Sequence, residues 1–211
     1  MIVAIEAAST DLSLAIADAD GAIIGDDAWT SERRQSAELL PRLLTLLDRE
    51  GHTLGEITGI GVGSGPGSFT GLRVAMAIAK GLAVGLGRPL VGVPSLPAWL
   101  EAAPDAVAAL ARAGAREAYL LSRGTDEPVI VDRDSIDGAL RNAAVVAADE
   151  LADAFGLSAA TGPRGAPVIA RHAAQRLAVD PAGDDVGRLE PIYLRQPRGV
   201  ATRAEGEVRW L

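Results

Sequence analysis

Hydrophobic and polar positions divide this chain into a strongly patterned first half and a weakly patterned second. Ile2-Val3-Ala4-Ile5, Leu12 to Ala17 and Ala22 to Trp29 are short runs of strand character, separated by the turn sequences Ala8-Ser9-Thr10-Asp11 and Asp18-Ala19-Asp20-Gly21. Three strands joined by two short turns predict an antiparallel meander. From Ser31-Glu32 the period changes to that of a helix running to about Asp48. Its Leu39, Leu40, Leu43, Leu44, Leu46 and Leu47 spread too far round the axis for one narrow stripe, so this helix requires burial on two sides. Ile57 to Val62 predicts a buried strand, Thr70 to Leu86 a helix and Pro89 to Val93 a strand, and Ser95, an N-cap residue type, opens a further helix.

The order β-β-β-α-β-α-β-α predicts a mixed sheet with helices on its faces, an α/β architecture. It resembles one lobe of the actin-like, sugar-kinase and Hsp70 superfamily, the ribonuclease H-like (ASKHA) fold. After about Ala113 the pattern weakens: Ala118 to Leu121, Val129 to Val131 and Val145-Val146 predict strands, Leu151 to Phe155 a helical turn and Ala166 to Val179 a helix. The expected division is an N-terminal actin-like lobe over 1–100, carrying the long helices, and a smaller, degenerate second lobe with a tail over 101–211. No internal repeat is visible. Pro181-Ala182-Gly183-Asp184-Asp185 reads as a surface loop, and the polar tail after Gln196 as mobile.

Composition narrows the chemistry. The 211 residues are 48% hydrophobic and include no cysteine, which excludes disulfides, cysteine-ligated zinc and thiol catalysis. The two histidines, His52 and His172, lie in different segments, and Arg176 stands one turn after His172, so no two-histidine metal face forms. With a net charge of −8 the chain is a poor candidate for gripping nucleic acid by itself, and any RNA link is expected to run through a partner. The N-terminus has no basic leader, and the longest apolar stretch, Val74 to Leu86, is broken by Lys80 and short for a bilayer, so no membrane segment is expected.

The segment Gly61 to Arg73 compresses a strand end, a glycine loop and a helix start, so backbone N–H groups converge where either an anion or another backbone segment could sit. Its glycines match neither the P-loop nor the dinucleotide fingerprint. Ser68 reads as a helix cap, and Ser9, Ser64 and Ser68 all lack a base placed to activate them. Glu6 and Asp11 flank the first hairpin turn, where superfamily kinases hold magnesium and phosphate; with Ser9 they mark a candidate vestigial phosphate site. In the second lobe Gly162-Pro163-Arg164-Gly165 is a poor match to an adenosine-binding motif.

Four segments in order carry a closer resemblance: Ile2-Val3-Ala4-Ile5-Glu6, Gln35-Ser36-Ala37-Glu38-Leu39-Leu40-Pro41, Gly63 to Arg73 with its helix through Ala83, and Pro191-Ile192-Tyr193-Leu194-Arg195. They resemble the bacterial TsaB (YeaZ-like) family, the dimerisation subunit of the machinery that installs threonylcarbamoyladenosine beside the tRNA anticodon. The resemblance implies a cytoplasmic, non-catalytic subunit without a cofactor of its own. It would pair with the catalytic paralogue TsaD and the ATPase TsaE, form a homodimer when TsaD is absent, and reach tRNA only through the complex. Two departures stand out: Glu6-Ala7-Ala8 replaces an Asp-Thr-Ser/Thr turn, and Arg112 occupies an acidic position. Both argue against nucleotide binding by this subunit.

Family members pair through their helices. In the Thr70 to Leu86 helix, Gly71, Ala75 and Ala79 make a small-residue ridge beside an apolar row of Val74, Ile78 and Leu82. Either a partner or this chain's own neighbouring helix could cover the ridge. The expected interface comprises Leu39, Leu43, Leu72, Arg73, Ala75, Met76, Ala79 and Lys80. The alternatives are a small phosphotransferase using the Glu6/Ser9 hairpin and a stand-alone homodimer; peptidase chemistry would need a metal or nucleophile constellation that the sequence does not supply.

Overall fold

The structure, a computed structural model, describes residues 1–31 and 33–194. The readings at Glu32, at Arg195 and in the tail with Arg198, Arg203 and Arg209 lie outside the described residues. Strand β1 (Ile2–Glu6) is buried along its length and sends alternate side chains to opposite faces, Val3 and Ile5 into one core, Ile2 and Ala4 into another. Antiparallel β2 (Asp11–Ala17) and β3 (Ile23–Thr30) lie on one side of it, and parallel β4 (Gly59–Gly63) and β5 (Leu90–Val93) on the other, in the order β3-β2-β1-β4-β5. Helices α1 (Gln35–Arg49) and α2 (Phe69–Leu86) cover the Val3/Ile5 face.

The second lobe repeats this wiring. Strands β6 (Ala108–Arg112), β7 (Glu117–Ser122) and β8 (Val129–Asp132) form an antiparallel meander, and β9 (Ala144–Val146) and β10 (Ala159–Thr161) run parallel to β6. The order β8-β7-β6-β9-β10 matches that of the first sheet. With helices α3 (Ser95–Ala102), α4 (Gly138–Asn142), α5 (Asp149–Phe155) and α6 (Ala166–Val179), the order β-β-β-α-β-α-β-α occurs twice among the described residues. This is the two-lobed actin-like arrangement.

The lobe is smaller because its covering helices shrink: 15 and 18 residues in α1 and α2 become 5 and 7 in α4 and α5. It nevertheless keeps five strands. The sequence reading missed β6 and β10 because both are alanine-rich, and alanine is the strongest helix former. Pairing with β7 and β9 decides the state of Ala108-Ala109-Leu110-Ala111 against local propensity.

The terminal helix of each repeat serves the other lobe. Leu96, Trp99 and Leu100 of α3 cluster with Ala109, Ala111, Tyr119 and Leu121 of the second sheet. Conversely Ala166, Ile169, Ala170 and Ala173 of α6 pack on the Ala4 and Ala15 face of the first. The strands of the first sheet end at Val93 and those of the second begin at Ala108, while α6 crosses back. Arg123 fastens the end of α3, donating from Nη2 to the carbonyls of Leu100 and Ala103, both at 2.8 Å, and from Nε to that of Ala106 at 2.7 Å.

Residues 181–185, read as a surface loop, include a structural edge. Asp184 bridges antiparallel to Leu90, its Oδ2 accepts from the Gly92 N–H at 2.7 Å, and Arg176 Nη2 holds its Oδ1 at 2.7 Å. The exposed side of β5 is thereby covered. Helix α2 has the length and composition to cross a bilayer, with a mean hydropathy of 1.4 over 18 residues. Packing over the first sheet uses one side of it, where Ala75, Met76, Ala79 and Ala83 are buried.

Trp99 is fully buried where the lobes meet. Replacing it by alanine is expected to lower unfolding free energy by about 3–5 kcal/mol, as measured by urea denaturation.

Candidate functional site

The C-terminal ends of β1 and β4 bring the first hairpin turn against the glycine loop. The Ser68 N–H donates to the Ala8 carbonyl at 2.7 Å, and a Cβ on Gly67 or Gly71 would overlap the carbonyl oxygens of Ala8 and Ala7 respectively. Of the two readings of this loop, close passage of another backbone segment is the one realised. Gly65 has φ +91° and donates its N–H to Ser95 Oγ at 3.0 Å. Ser68 caps α2, its Oγ accepting from the Gly71 N–H at 3.3 Å.

Glu6, Ser9 and Asp11 do not form one site. Glu6 is wholly buried, its Oε1 accepting from the Ala8 N–H at 2.6 Å while Oε2 fills the space where Gly63 has no side chain. Burial pushes its carboxyl up, against the opposing pull of the Ala8 amide, the Ser95 hydroxyl and the Trp99 indole. Neither Oε2 nor the Trp99 Nε1 has a hydrogen-bond partner of good geometry. Ser9 Oγ donates to the Asp11 carbonyl at 2.8 Å and accepts from the Asp11 N–H at 3.0 Å. Asp11 Oδ1 accepts from Thr30 Oγ1 at 2.8 Å; partial burial raises its carboxyl, Thr30 opposes the rise and Asp149 adds to it. Ser9 and Asp11 are turn chemistry, and the carboxyl expected to face a phosphate is sealed inside the lobe.

A cleft of about 860 Å³ lies between the lobes, bounded by Ser9 and Thr10, the first turn of α2, the β6–β7 turn and the start of α5. Arg112 and Arg116 on its rim pair with Glu150 at 3.3 Å and Asp134 at 3.7 Å. The histidines lie elsewhere. His52 Nδ1 meets Glu56 at 3.3 Å, whereas His172 Nε2 and Arg171 Nη2 grip Glu101 at 2.7 and 2.8 Å, tying α6 to α3. Among the described residues no group of three or more His, Asp or Glu is placed to hold a metal.

The expected interface residues are mostly interior. Leu39, Leu43, Leu72, Ala75, Met76 and Ala79 are buried in this chain's own core, so Gly71, Ala75 and Ala79 form a ridge turned into the chain's own interior and cannot meet a partner. Lys80 is half-buried, and Arg73 alone of the eight is exposed. The open surface is the opposite side of the same helices. On α2 it holds Ala77, Gly81 and Gly85, a second small-residue ridge with the same spacing, beside Val84, which is 74% exposed. On α1 it holds Leu40 and Leu44, 38% and 42% exposed. The two ridges differ by two residues, about 200° around the helix. Both patterns were visible in the sequence; which one meets the sheet was not.

At the N-terminal end of that surface, Phe69, Arg73 and Tyr193 form a stack. The Arg73 guanidinium lies 3.8 Å above the Phe69 ring, its Nε donates to Tyr193 Oη at 3.1 Å, and the two rings are 5.5 Å apart. The sequence signal for it was the Pro191 to Arg195 motif, whose partner across the fold could not be read.

The TsaD family, described as tRNA N6-adenosine threonylcarbamoyltransferase, matches residues 30–186. The structure of YeaZ from Pseudomonas aeruginosa superposes with a TM-score of 0.69 at 21% identity, over 92% of this chain and 99% of that one. A second structure, described as an uncharacterized protein with similarity to peptidase YEAZ from Pseudomonas aeruginosa, superposes with a TM-score of 0.69 at 22% identity over the same shares. At such identities the likeness is one of fold. Among curated protein sequences nothing matches.

The raised Glu6 carboxyl makes the folded chain bind a proton that the unfolded chain releases above the ordinary value of 4.5. Stability is therefore greatest below that value and falls as pH rises toward the folded-state value, by about 1.4 kcal/mol per pH unit at most. Glu6→Gln is expected to flatten this dependence and raise stability at pH 7. Denaturant unfolding between pH 4.5 and 8 checks it, parallel curves for the two proteins being the contrary result.

Proposed function

The chain belongs to the tRNA N6-adenosine threonylcarbamoyltransferase (TsaD) family, and from that premise we propose that it is the non-catalytic assembly subunit of a threonylcarbamoyladenosine-forming complex. It pairs in the cytoplasm with a TsaD-type catalytic paralogue, works with a TsaE-type ATPase, and meets tRNA only through them. The observation that carries this reading is the open side of α1 and α2. Two helices pack together, and their outward sides expose Leu40 and Leu44 on α1, and Val84 beside a ridge of Ala77, Gly81 and Gly85 on α2.

Such a surface suits another helix pair, because small residues let backbones approach and flanking apolar side chains leave water on contact. The occupant we commit to is the paralogue, since the family resemblance implies pairing through these helices; a second copy of this chain would use the same surface in its absence. The subunit then acts by biasing its partner's conformation without touching the reacting atoms. The enclosure of Glu6, away from the inter-lobe cleft, weighs against the phosphotransferase alternative, which needs that carboxylate beside a phosphate.

Size-exclusion chromatography with light scattering, on this chain mixed with the TsaD paralogue of the same genome, is expected to give a mixed peak that consumes any homodimer. Separate peaks would overturn the subunit reading, and tight magnesium-dependent ATP binding by the isolated chain would favour the phosphotransferase. Gly81→Glu, at a position with open space for a side chain, is expected to abolish pairing while changing monomer stability by no more than about 0.5 kcal/mol. Ala79→Glu, two residues earlier, is expected to unfold the chain by burying a charge.

A further inference from the structure

After α6 the chain runs as a strap along the edge of the first sheet. Asp184 is its first anchor, bridged to Leu90, accepting from Gly92 and held by Arg176. Leu189 then lies over Gly92, and the Ile192 N–H donates to the Ser64 carbonyl at 2.7 Å. The last anchor differs in kind. Among the described residues Tyr193 is held by side chains of α2, through the 3.1 Å hydrogen bond from Arg73 and the stack on Phe69.

Phe69 and Arg73 occupy the same outward line of α2 as Ala77 and Gly81, four residues apart in each case. Phe69 is 41% exposed, so the stack stands in water at the end of the surface assigned above to a partner. A cation over an aromatic ring and a hydrogen bond to a guanidinium both strengthen when water is removed from them. A helix pair laid along Ala77 and Gly81 would cover Phe69 and Arg73 and leave the Tyr193 side of the stack closed.

We infer that the Phe69–Arg73–Tyr193 stack is a latch through which occupancy of the α2 surface tightens the strap already seated on β5. This coupling rests on the pairing proposed above. It gives the strap a regulatory role: partner docking at α2 stiffens the β5 edge and the mouth of the inter-lobe cleft, to which Phe69 and Tyr193 both contribute. Arg73 is then a positioning residue that acts through Tyr193.

Hydrogen exchange of the full chain, alone and saturated with the TsaD paralogue, tests this in the peptides covering 88–94 and 182–194, with complex formation followed in parallel by light scattering. Docking is expected to slow exchange of the Gly92, Asp184 and Ile192 amides about tenfold. Tyr193→Phe keeps the ring and removes the acceptor, and is expected to leave the complex intact while reducing that slowing to less than about twofold. A complex that forms without slowing the strap, or slows it equally in Tyr193→Phe, overturns the latch and leaves the pairing standing. Failure of any complex to form overturns the pairing and the latch together.

Discussion

Helix α6 closes a sheet from which the whole second lobe separates it in sequence. The Ala4 and Ala15 face of the first sheet has small side chains, so it becomes a core only when a helix of small residues lies close against it, and α6 brings Ala166, Ala170 and Ala173. The reciprocal contact, α3 against β6 with Trp99 at its centre, ties the second sheet to the first repeat. Each lobe thus depends on a helix that the other repeat supplies in chain order, and neither core is complete alone. The Glu101 grip on Arg171 and His172 joins the same two helices at the surface.

That exchange determines what becomes of the polar groups at the end of β1. Ser9 and Thr10 of the turn after the first strand line the cleft between the lobes, and Glu6 does not. Here the Ala7 and Ala8 carbonyls lie against Gly71 and Gly67, and the Glu6 side chain turns into the layer beneath α3 and α6 among Ser95, Trp99 and the backbone of Gly63. A carboxyl so enclosed is stabilised as the neutral acid. The chemistry at this point of the first lobe is directed inward.

Helix α2 has two usable sides. One side, with Leu72, Ala75, Met76 and Ala79, is spent on the chain's own core, and the other, from Phe69 and Arg73 through Ala77, Gly81 and Val84, is left open at the surface. A helix that is apolar nearly all round is expected to be buried on more than one side. The neighbouring α1 shows the same excess through Leu40 and Leu44. The surface polarity of this acidic chain is interrupted where two such helices lie together.

The sequence by itself determined the first lobe. The apolar run Ile2 to Ile5, the turn residues of the two hairpins, the leucines of α1 and the N-cap at Ser68 are local signals, and local sterics and hydrogen bonding suffice to read them. It also determined the family, through the loop of Gly63 to Arg73 and the motif around Tyr193. Only the tertiary structure decided that Ala108 to Arg112 is a strand, because pairing on both sides outweighs the helix preference of alanine. Only the tertiary structure decided that Glu6 points away from the cleft and that Ala77, not Ala79, faces outward. Two small-residue ridges on one helix are equivalent in composition, and the face that meets the sheet is selected by packing against strands contributed from elsewhere in the chain.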